Sequence, residues 1–241
     1  MATTIELVVF DLAGTTVDDS IQGLPLVTVA MKEAFKDYGI EITPEAVNQF
    51  RGMDKKEAIK NLLHVSKTTT NSSENKAIEN ENTVLENIFK RFKVILKSYL
   101  TDINKEIAGT TDTFHFLRSK GIKLAVGSGF PHDVVVTLVE KLGWKDMIHF
   151  VSSAEKEGHG RPHPSLIHSA MIQCSVSDKT KVLKVGDTVI DIEEGKNAGC
   201  KTVAVLTGTQ SEARLKKSKP DFIIKSVAEL SELIKNFEAI T

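Results

Sequence analysis

The chain has 241 residues, with 31 basic and 32 acidic side chains, so its net charge of -1 argues against a nucleic-acid partner. This length is enough for a substantial core in one or two domains. No apolar stretch approaches the roughly 20 residues of a membrane span, an export signal is not evident, and the two cysteines, Cys174 and Cys200, lack a metal-binding spacing. We therefore expect a cytoplasmic protein with free thiols and without a membrane partner.

The first strong signal is an uninterrupted apolar run from Leu7 to Phe10, which predicts a strand covered on both faces. Asp11 follows directly and would stand at the carboxyl end of that strand, where open α/β sheets bind their ligands. Gly14 lets a ligand approach the backbone closely. An aspartate in this place can also serve as a turn residue or a helix N-cap, so the motif alone leaves both interpretations open.

Residues 20–104 carry the apolar spacing of helices. We predict helices over residues 24–38, from Pro44 to about Phe50 behind the N-cap Thr43, from about Asp54, and from Val84 to Leu100. The polar stretch Ser66 to Thr83 predicts a loop or a frayed helix start. The segment is therefore expected to be an all-helical insert after the first strand.

From about Asn104 onward, strands and helices alternate. Predicted strands cover residues 122–126, 149–152, 182–185, 202–206 and 221–224, and predicted helices cover residues 111–117, 131–142, 164–172, 192–198 and 227–237. Such alternation predicts an α/β fold with a parallel, doubly wound sheet. We expect a core domain formed by residues 1–18 and 105–241, and a helical domain formed by residues 19–104.

Four polar segments fall at or just beyond predicted strand ends, which places them at one edge of the sheet. They are Asp11 with residues 13–15, Ser128 between two glycines, Arg161 in residues 160–164, and Asp187 in residues 186–191. One carboxylate could act as a nucleophile while others bind Mg²⁺, and a hydroxyl and a cation could hold phosphate oxygens. The set predicts phosphoryl transfer through an aspartyl-phosphate.

In this order and spacing, the four segments resemble the motifs of the haloacid dehalogenase superfamily of hydrolases, over the whole chain. The resemblance implies that Asp11 is the nucleophile. It implies that Asp11, Asp187 and the backbone carbonyl of Ala13 bind Mg²⁺. It also implies that Asp191 either ligates the metal directly or supports its ligands without touching it. The helical insert would correspond to the cap domain of that superfamily.

The resemblance also implies that Ser128 and Arg161 hold the phosphoryl group, with Gly129 beside them. The hydroxyl of Thr15 could donate to phosphate or could stabilise the turn. Arg51 could reach an anionic group of the substrate. The resemblance implies a small phosphorylated or phosphonate substrate and a homodimer formed through the cap.

Ala13 departs from the usual phosphatase pattern of the superfamily, which has a second aspartate at this position to protonate an alkoxide leaving group. General acid–base catalysis contributes about 10²–10⁴-fold, so either the activity has decayed or the chemistry does not need this acid. The segment Asp11-Leu12-Ala13-Gly14-Thr15-Thr16-Val17-Asp18, together with residues 160–164 and 186–199, resembles the phosphonatase branch, the phosphonoacetaldehyde hydrolases. That branch cleaves a carbon–phosphorus bond.

Phosphonatases use a cap lysine just after a cap glycine to form an imine with the substrate aldehyde. The segment Gly52-Met53-Asp54-Lys55 is similar, which makes Lys55 the candidate. Two neighbours depart from the pattern, since Ala58 stands where the family has histidine and Arg51 where it has methionine. Alternatively, Asp54-Lys55-Lys56-Glu57 is a charged helical turn that faces solvent, in which Lys56 could face the site only if Lys55 does not.

We therefore predict a Mg²⁺-dependent hydrolase of the phosphonatase-like type, which cleaves the C–P bond of a small phosphonate through an aspartyl-phosphate and a Lys55 imine. One alternative is a phosphomonoesterase of the phosphoglycolate phosphatase-like type, and another is a non-catalytic protein that binds a phosphorylated metabolite. We expect His159 and His163 to serve the loop around Arg161 rather than a metal, and Trp144 to pack.

Overall fold

The computed structural model describes residues 4–69 and 81–239. Its strands are β1 (Leu7–Phe10), β2 (Val17–Asp18), β3 (Ser20–Ile21), β4 (Leu24–Pro25), β5 (Lys105–Glu106), β6 (Lys123–Ser128), β7 (Phe150–Ser153), β8 (Val182–Gly186), β9 (Lys201–Val205) and β10 (Phe222–Ile224). Six of them form one parallel sheet in the order β10-β9-β8-β1-β6-β7. The predicted doubly wound parallel sheet is therefore confirmed.

The described helices are α1 (Leu26–Lys36), α2 (Pro44–Gln49), α3 (Lys55–Thr69), α4 (Glu81–Ser98), α5 (Thr110–Ser119), α6 (His132–Lys141), α7 (Ala154–Glu157), α8 (Ser165–Gln173), α9 (Val189–Ala198), α10 (Glu212–Lys217) and α11 (Leu230–Ala239). None of these helices combines the length and the apolar character that crossing a bilayer requires. The short helices α7 and α10 were not predicted. Cys174 and Cys200 are free, as expected, and both are buried.

Strand β1 lies in the middle of the sheet, between β6 and β8, and all four of its residues are buried. Its side chains alternate between two apolar clusters. The ring of Phe10 packs at a tilt against that of Phe114 of α5, with ring centroids 5.1 Å apart, while Val9 joins a cluster with Ile167 of α8. Helices thus cover both faces, which explains why the run lacks polar alternation. The chain leaves the sheet at Asp11, whose N–H donates to the carbonyl of Val185 at 3.0 Å.

Helix α4 of the insert packs on both α1 and α3, and the three helices bury apolar residues such as Phe35, Leu62 and Phe92. Helix α2 starts as predicted, because the Thr43 side chain accepts a hydrogen bond from the Ala46 N–H. Burial of apolar faces thus supports the predicted helical insert.

The insert differs from the prediction at its start. Leu24 was predicted to belong to the first helix but lies in a β3–β4 hairpin, because Gln22 and Gly23 both adopt positive φ (51° and 81°), as a two-residue type I′ turn requires.

The polar segment was predicted to be a loop or a frayed helix start. Residues 81–83 form the start of α4, which agrees with the second alternative, whereas residues 66–69 belong to the end of α3. The rest of the predicted loop lies outside the described residues.

Candidate active site

The side chains predicted to act together meet at the carboxyl edge of the sheet. Asp11 follows β1, Ser128 ends β6 and Asp187 follows β8, while Asp191 lies in the first turn of α9. Arg161 reaches this edge from the loop before α8. All five side chains are buried, and this juxtaposition follows from the parallel register of the central strands.

Arg161 links two of the carboxylates. Its Nη1 donates to Asp11 Oδ1 at 2.8 Å and to Asp191 Oδ1 at 2.5 Å. Burial by itself would lower the pKa of Arg161, but the carboxylates of Asp11 and Asp191 raise it above its ordinary value. Arg161 is therefore a permanent cation beside the predicted nucleophile.

A second cation, Lys184 of β8, was not predicted. It is fully buried, and its Nζ lies 3.1 Å from Asp191 Oδ1 and 3.0 Å from Glu194 Oε2. Burial would raise the pKa of Asp191, yet Arg161 and Lys184 hold it below its ordinary value. The available signal was a lysine inside the apolar run of β8, which can be buried there only with a partner.

Asp191 is held on both of its carboxylate oxygens. Its Oδ1 faces the two cations, and its Oδ2 accepts from the Thr188 hydroxyl at 2.5 Å and from the Thr188 N–H at 3.2 Å. Thr188 caps α9 in return, by accepting from the Asp191 N–H. The helix start thus fixes the orientation of Asp191.

Three buried carboxylates offer the oxygen atoms that a cation site requires. Asp11, Asp187 and Asp191 each offer one oxygen, and these atoms lie within 4.8 Å of one another. Burial and the neighbouring carboxylates of Asp11 and Asp191 raise the pKa of Asp187, so a cation would relieve a repulsion there. Asp187 Oδ2 is buried and accepts no hydrogen bond within the described ranges. A side chain at Gly208 would collide with that oxygen, so the glycine keeps the position open.

Thr15 engages the other oxygen of Asp187. Its Oγ1 donates to Asp187 Oδ1 at 2.9 Å, so its hydroxyl orients a carboxylate in this structure. Ser128 Oγ accepts from the Phe130 N–H at 3.2 Å, which positions the hydroxyl at the end of β6. The predicted phosphate-binding residues Ser128 and Arg161 thus lie beside the predicted metal ligands.

The cap lysine reaches the same place. Lys55 is the first residue of α3, its side chain is 5% exposed, and its Nζ donates to the Met53 carbonyl at 2.9 Å. Burial, then the positive charge of Arg161, lowers the pKa of Lys55 to about 8. Lys56 is exposed and pairs with Glu86 on the surface, so of the two lysines only Lys56 faces solvent as the alternative interpretation expected.

Glycines allow the loop between α2 and α3, residues 50–54 and here called the cap loop, to touch the core. A Cβ at Gly129 would lie 2.6 Å from the Met53 carbonyl oxygen and 3.1 Å from Lys55 Nζ. Gly52 adopts a φ of 91°, and a Cβ there would lie 2.5 Å from Thr188 Oγ1. These close approaches hold the loop against the edge of the sheet.

The resulting cavity is small, about 20 Å³. Its lining includes Asp11, Ala13, Lys55, Ser128, Phe130 and Arg161. This volume is about that of a single water molecule. A larger groove of about 610 Å³ lies among the β3–β4 hairpin, α1 and α2, but none of the residues at the sheet edge lines it.

Arg51 also lines this cavity. Its Nη2 donates to the Ala13 carbonyl at 3.3 Å and to Asp19 Oδ1 at 3.4 Å, and its Nε lies 3.8 Å from Asp187 Oδ2. Asp19 is buried and was not predicted, because only the folded cap brings Arg51 to it. The structure thus places Arg51 among predicted metal ligands.

The remaining candidates have structural roles. The rings of His159 and His163 stack at 4.5 Å on the exposed loop around Arg161, and the metal-competent cluster found among the described residues does not include them. Trp144 is fully buried, its ring lies 5.1 Å from that of Phe114, and its Nε1 donates to Thr111 Oγ1 at 3.0 Å. Trp144 packs in the core, as predicted.

Comparisons with known proteins agree with this geometry. The model of the haloacid dehalogenase-like hydrolase family matches residues 8–205. The chain is 28% identical to a phosphonoacetaldehyde hydrolase of Lactiplantibacillus plantarum, over 96% of each chain. It is 31% identical to a phosphonoacetaldehyde hydrolase of Bacillus mycoides, over 96% of this chain and 87% of that one.

Solved structures give the same fold. A phosphonoacetaldehyde hydrolase-like protein from Oleispira antarctica superimposes with a TM-score of 0.86 at 25% identity, over 99% of this chain and 94% of the other. A predicted phosphoglycolate phosphatase from Haemophilus somnus superimposes with a TM-score of 0.80 at 21% identity, over 97% and 99% of the chains, which shows the fold alone. The chain belongs to the haloacid dehalogenase-like hydrolases, and its relatives include phosphonoacetaldehyde hydrolases.

Proposed function

We propose that this hydrolase cleaves the carbon–phosphorus bond of a small phosphonate such as phosphonoacetaldehyde, with Asp11 as nucleophile and Lys55 as the imine-forming amine. The observation that carries the proposal is the position of Lys55. A cap lysine is buried in the cavity that Asp11, Ser128 and Arg161 also line. The relatives named phosphonoacetaldehyde hydrolase support the same class of substrate.

Imine formation requires a neutral amine, and the surroundings of Lys55 favour that state. With a pKa of about 8, about a tenth of Lys55 is neutral at pH 7. An ordinary lysine, with a pKa near 10.4, would be neutral in roughly one molecule in 2,500. Burial beside Arg161 therefore increases the population of the nucleophilic amine by about two orders of magnitude.

The proposed reaction proceeds in balanced steps. Lys55 condenses with the substrate aldehyde and releases one water as the imine forms. Asp11 then attacks phosphorus, and the electron pair of the C–P bond moves into the protonated imine, which becomes an enamine. Ser128 and Arg161 hold the phosphoryl oxygens during the transfer.

Two further steps restore the enzyme. Water hydrolyses the aspartyl-phosphate at Asp11 and releases phosphate. The enamine takes up a proton at carbon, and a second water hydrolyses the resulting imine, which frees Lys55 and acetaldehyde. One molecule of water is consumed overall.

Within this proposal, Asp11, Asp187 and the carbonyl of Ala13 would hold Mg²⁺, a hard cation that prefers such oxygens. We assign Asp191 the supporting role, because Arg161, Lys184 and Thr188 already engage both of its oxygens. When bound, Mg²⁺ supplies positive charge that stabilises the phosphoryl oxygens in the transition state.

The absence of an acid at Ala13 fits this chemistry, because the leaving group is an enamine carbon rather than an alkoxide. A phosphomonoesterase would need another proton donor at this place. The Lys55 ammonium, which lines the cavity, is the group that could serve it. The two functions therefore assign Lys55 different roles, and covalent trapping separates them.

The test measures phosphate release from phosphonoacetaldehyde and from p-nitrophenyl phosphate with Mg²⁺ present, and adds borohydride to each mixture. We expect release from phosphonoacetaldehyde and borohydride inactivation that depends on it, in the wild type and in Lys56→Met but not in Lys55→Met. Ester hydrolysis alone, without inactivation, would establish the phosphomonoesterase. Thermal stabilisation by phosphate without turnover of either compound would establish a binding protein.

A further inference from the structure

The guanidinium of Arg51 lies across groups to which the proposed function assigns the metal. It donates to the Ala13 carbonyl at 3.3 Å and lies 3.8 Å from Asp187 Oδ2. Because Thr15 engages Asp187 Oδ1, Oδ2 is the carboxylate atom left for a cation. Arg51 and a divalent cation therefore address the same two oxygen atoms.

The contacts of Arg51 are loose for a buried cation. Its side chain is 7% exposed, yet its distances to oxygen run from 3.3 to 3.8 Å, longer than the roughly 2.7–2.9 Å of a strong charge-assisted hydrogen bond. Among the residues that the structure describes, neither Arg51 Nη1 nor Asp19 Oδ2 has a hydrogen-bond partner. Arg51 is thus held beside the carboxylates by charge rather than by an optimal fork, and it can withdraw without breaking one.

Arg51 and the metal ligands belong to different parts of the chain. Arg51 lies in the helical insert, between α2 and α3, whereas Ala13 and Asp187 follow strands of the sheet. The guanidinium of Arg51 and a divalent cation bound to the same oxygen atoms would repel each other strongly, because water screens charges little in a buried site. Docking of the cap loop therefore brings a positive charge to the position that a divalent cation needs.

We propose that Arg51 competes with the divalent cation for Asp187 Oδ2 and the Ala13 carbonyl, so that the docked cap loop weakens metal binding. This competition makes Arg51 a positioning residue that acts through the metal. The proposal rests on the metal site of the proposed function but is independent of the imine at Lys55.

The test is calorimetric titration of Mg²⁺ into the metal-stripped full chain. Arg51→Met keeps a long apolar stem without the charge, and we expect it to bind Mg²⁺ about tenfold or more tightly than the wild type. Arg51→Lys keeps the charge and is expected to stay within about threefold of the wild type. Lys56→Met, an exposed neighbour on α3, is the matched control and should bind as the wild type does.

Asp187→Asn distinguishes a failure of the proposed competition from a failure of the metal site itself. If this variant loses Mg²⁺ binding while Arg51→Met binds no more tightly than the wild type, the competition is refuted and the metal site stands. If the wild type and Arg51→Met both fail to bind Mg²⁺, the metal site and the competition fall together. The borohydride experiment then still reports on Lys55.

A second measurement covers the case in which Arg51→Met does not fold. The side-chain Nε–Hε resonance of Arg51 in the wild type is identified by its absence from the spectrum of Arg51→Lys. We expect this resonance to shift in step with Mg²⁺ saturation as the guanidinium leaves Asp187. A resonance that stays unchanged through saturation overturns the proposal.

Discussion

Lys184 is predicted to determine the stability of the core around the site, and Lys184→Met tests this. Lys184 is fully buried, with two carboxylates, Asp191 and Glu194, about 3 Å from its Nζ. Arg161 still compensates Asp191 in the variant, but Glu194 accepts no hydrogen bond among the described residues and would keep an unpaired charge. Methionine fills a similar volume, so the electrostatic loss dominates over any cavity.

The magnitude follows from the proton that Glu194 can take up. Removing one partner of a buried pair costs about 3–5 kcal/mol. The variant can avoid the buried charge by protonating Glu194. At pH 7, protonating a carboxyl with an ordinary pKa near 4.3 costs about 1.36 kcal/mol for each of about 2.7 pH units, so the loss of stability is limited to about 3.7 kcal/mol. At about 2–4 °C per kcal/mol for a chain of this size, the midpoint of thermal unfolding should fall by roughly 10 °C.

The pH dependence gives the sharper test. Burial already raises the pKa of Glu194, and the loss of Lys184 raises it further above the value in the unfolded chain. The native variant then binds a proton that the unfolded chain releases, so its stability falls as pH rises above about 4. Because the pKa of Glu194 is higher in the variant than in the wild type, the difference in stability between them should be smaller at pH 5 than at pH 7.

Urea unfolding followed by circular dichroism at pH 5 and pH 7 measures both differences. Lys184→Met/Glu194→Gln is the matched control, which we expect to recover most of the loss because the unpaired carboxylate is gone. A loss below about 1 kcal/mol at pH 7, or a loss that is the same at both pH values, would show that Lys184 does not stabilise the core by compensating Glu194.

Three further predictions concern the site. The rate of amine labelling at Lys55, read by mass spectrometry with Lys56 as the internal standard, should rise about tenfold per pH unit below its pKa of about 8 and level off above it. A midpoint near 10 would contradict the lowered pKa of Lys55. Gly129→Ala should reduce phosphate release by at least about tenfold with unchanged thermal stability of the core, because the new methyl displaces the Met53 carbonyl and Lys55. Unimpaired turnover would show that the close approach of the cap loop to Gly129 is not needed. Asp11→Asn should abolish phosphate release while borohydride with phosphonoacetaldehyde still modifies Lys55, whereas residual turnover would exclude Asp11 as the nucleophile.

Local patterns predicted the elements that build the sheet edge. The apolar run of β1 and the carboxylate after it, repeated in different form at β6 and β8, place Asp11, Ser128 and Asp187 together because parallel strands end at one edge. Thr43 and Pro44 likewise predicted where α2 begins. These features depend on neighbours a few residues apart, which a single sequence displays.

Features that depend on distant partners were not predictable in the same way. The choice between Lys55 and Lys56 depends on how the cap loop docks against Gly129, and the contact of Arg51 with Asp19 depends on the same docking. The β3–β4 hairpin escaped prediction because a Gln22-Gly23 turn is weaker as a signal than Asn-Gly or Asp-Gly.

The imine at Lys55 distinguishes C–P cleavage from ester hydrolysis, and it can be trapped covalently. The protein is incubated with phosphonoacetaldehyde, reduced with borohydride, digested, and analysed by mass spectrometry. We expect an ethyl group on the Nζ of Lys55, the reduced remnant of acetaldehyde after C–P cleavage, and none on Lys56. Phosphate release from phosphonoacetaldehyde with Lys55 unmodified after reduction would contradict it.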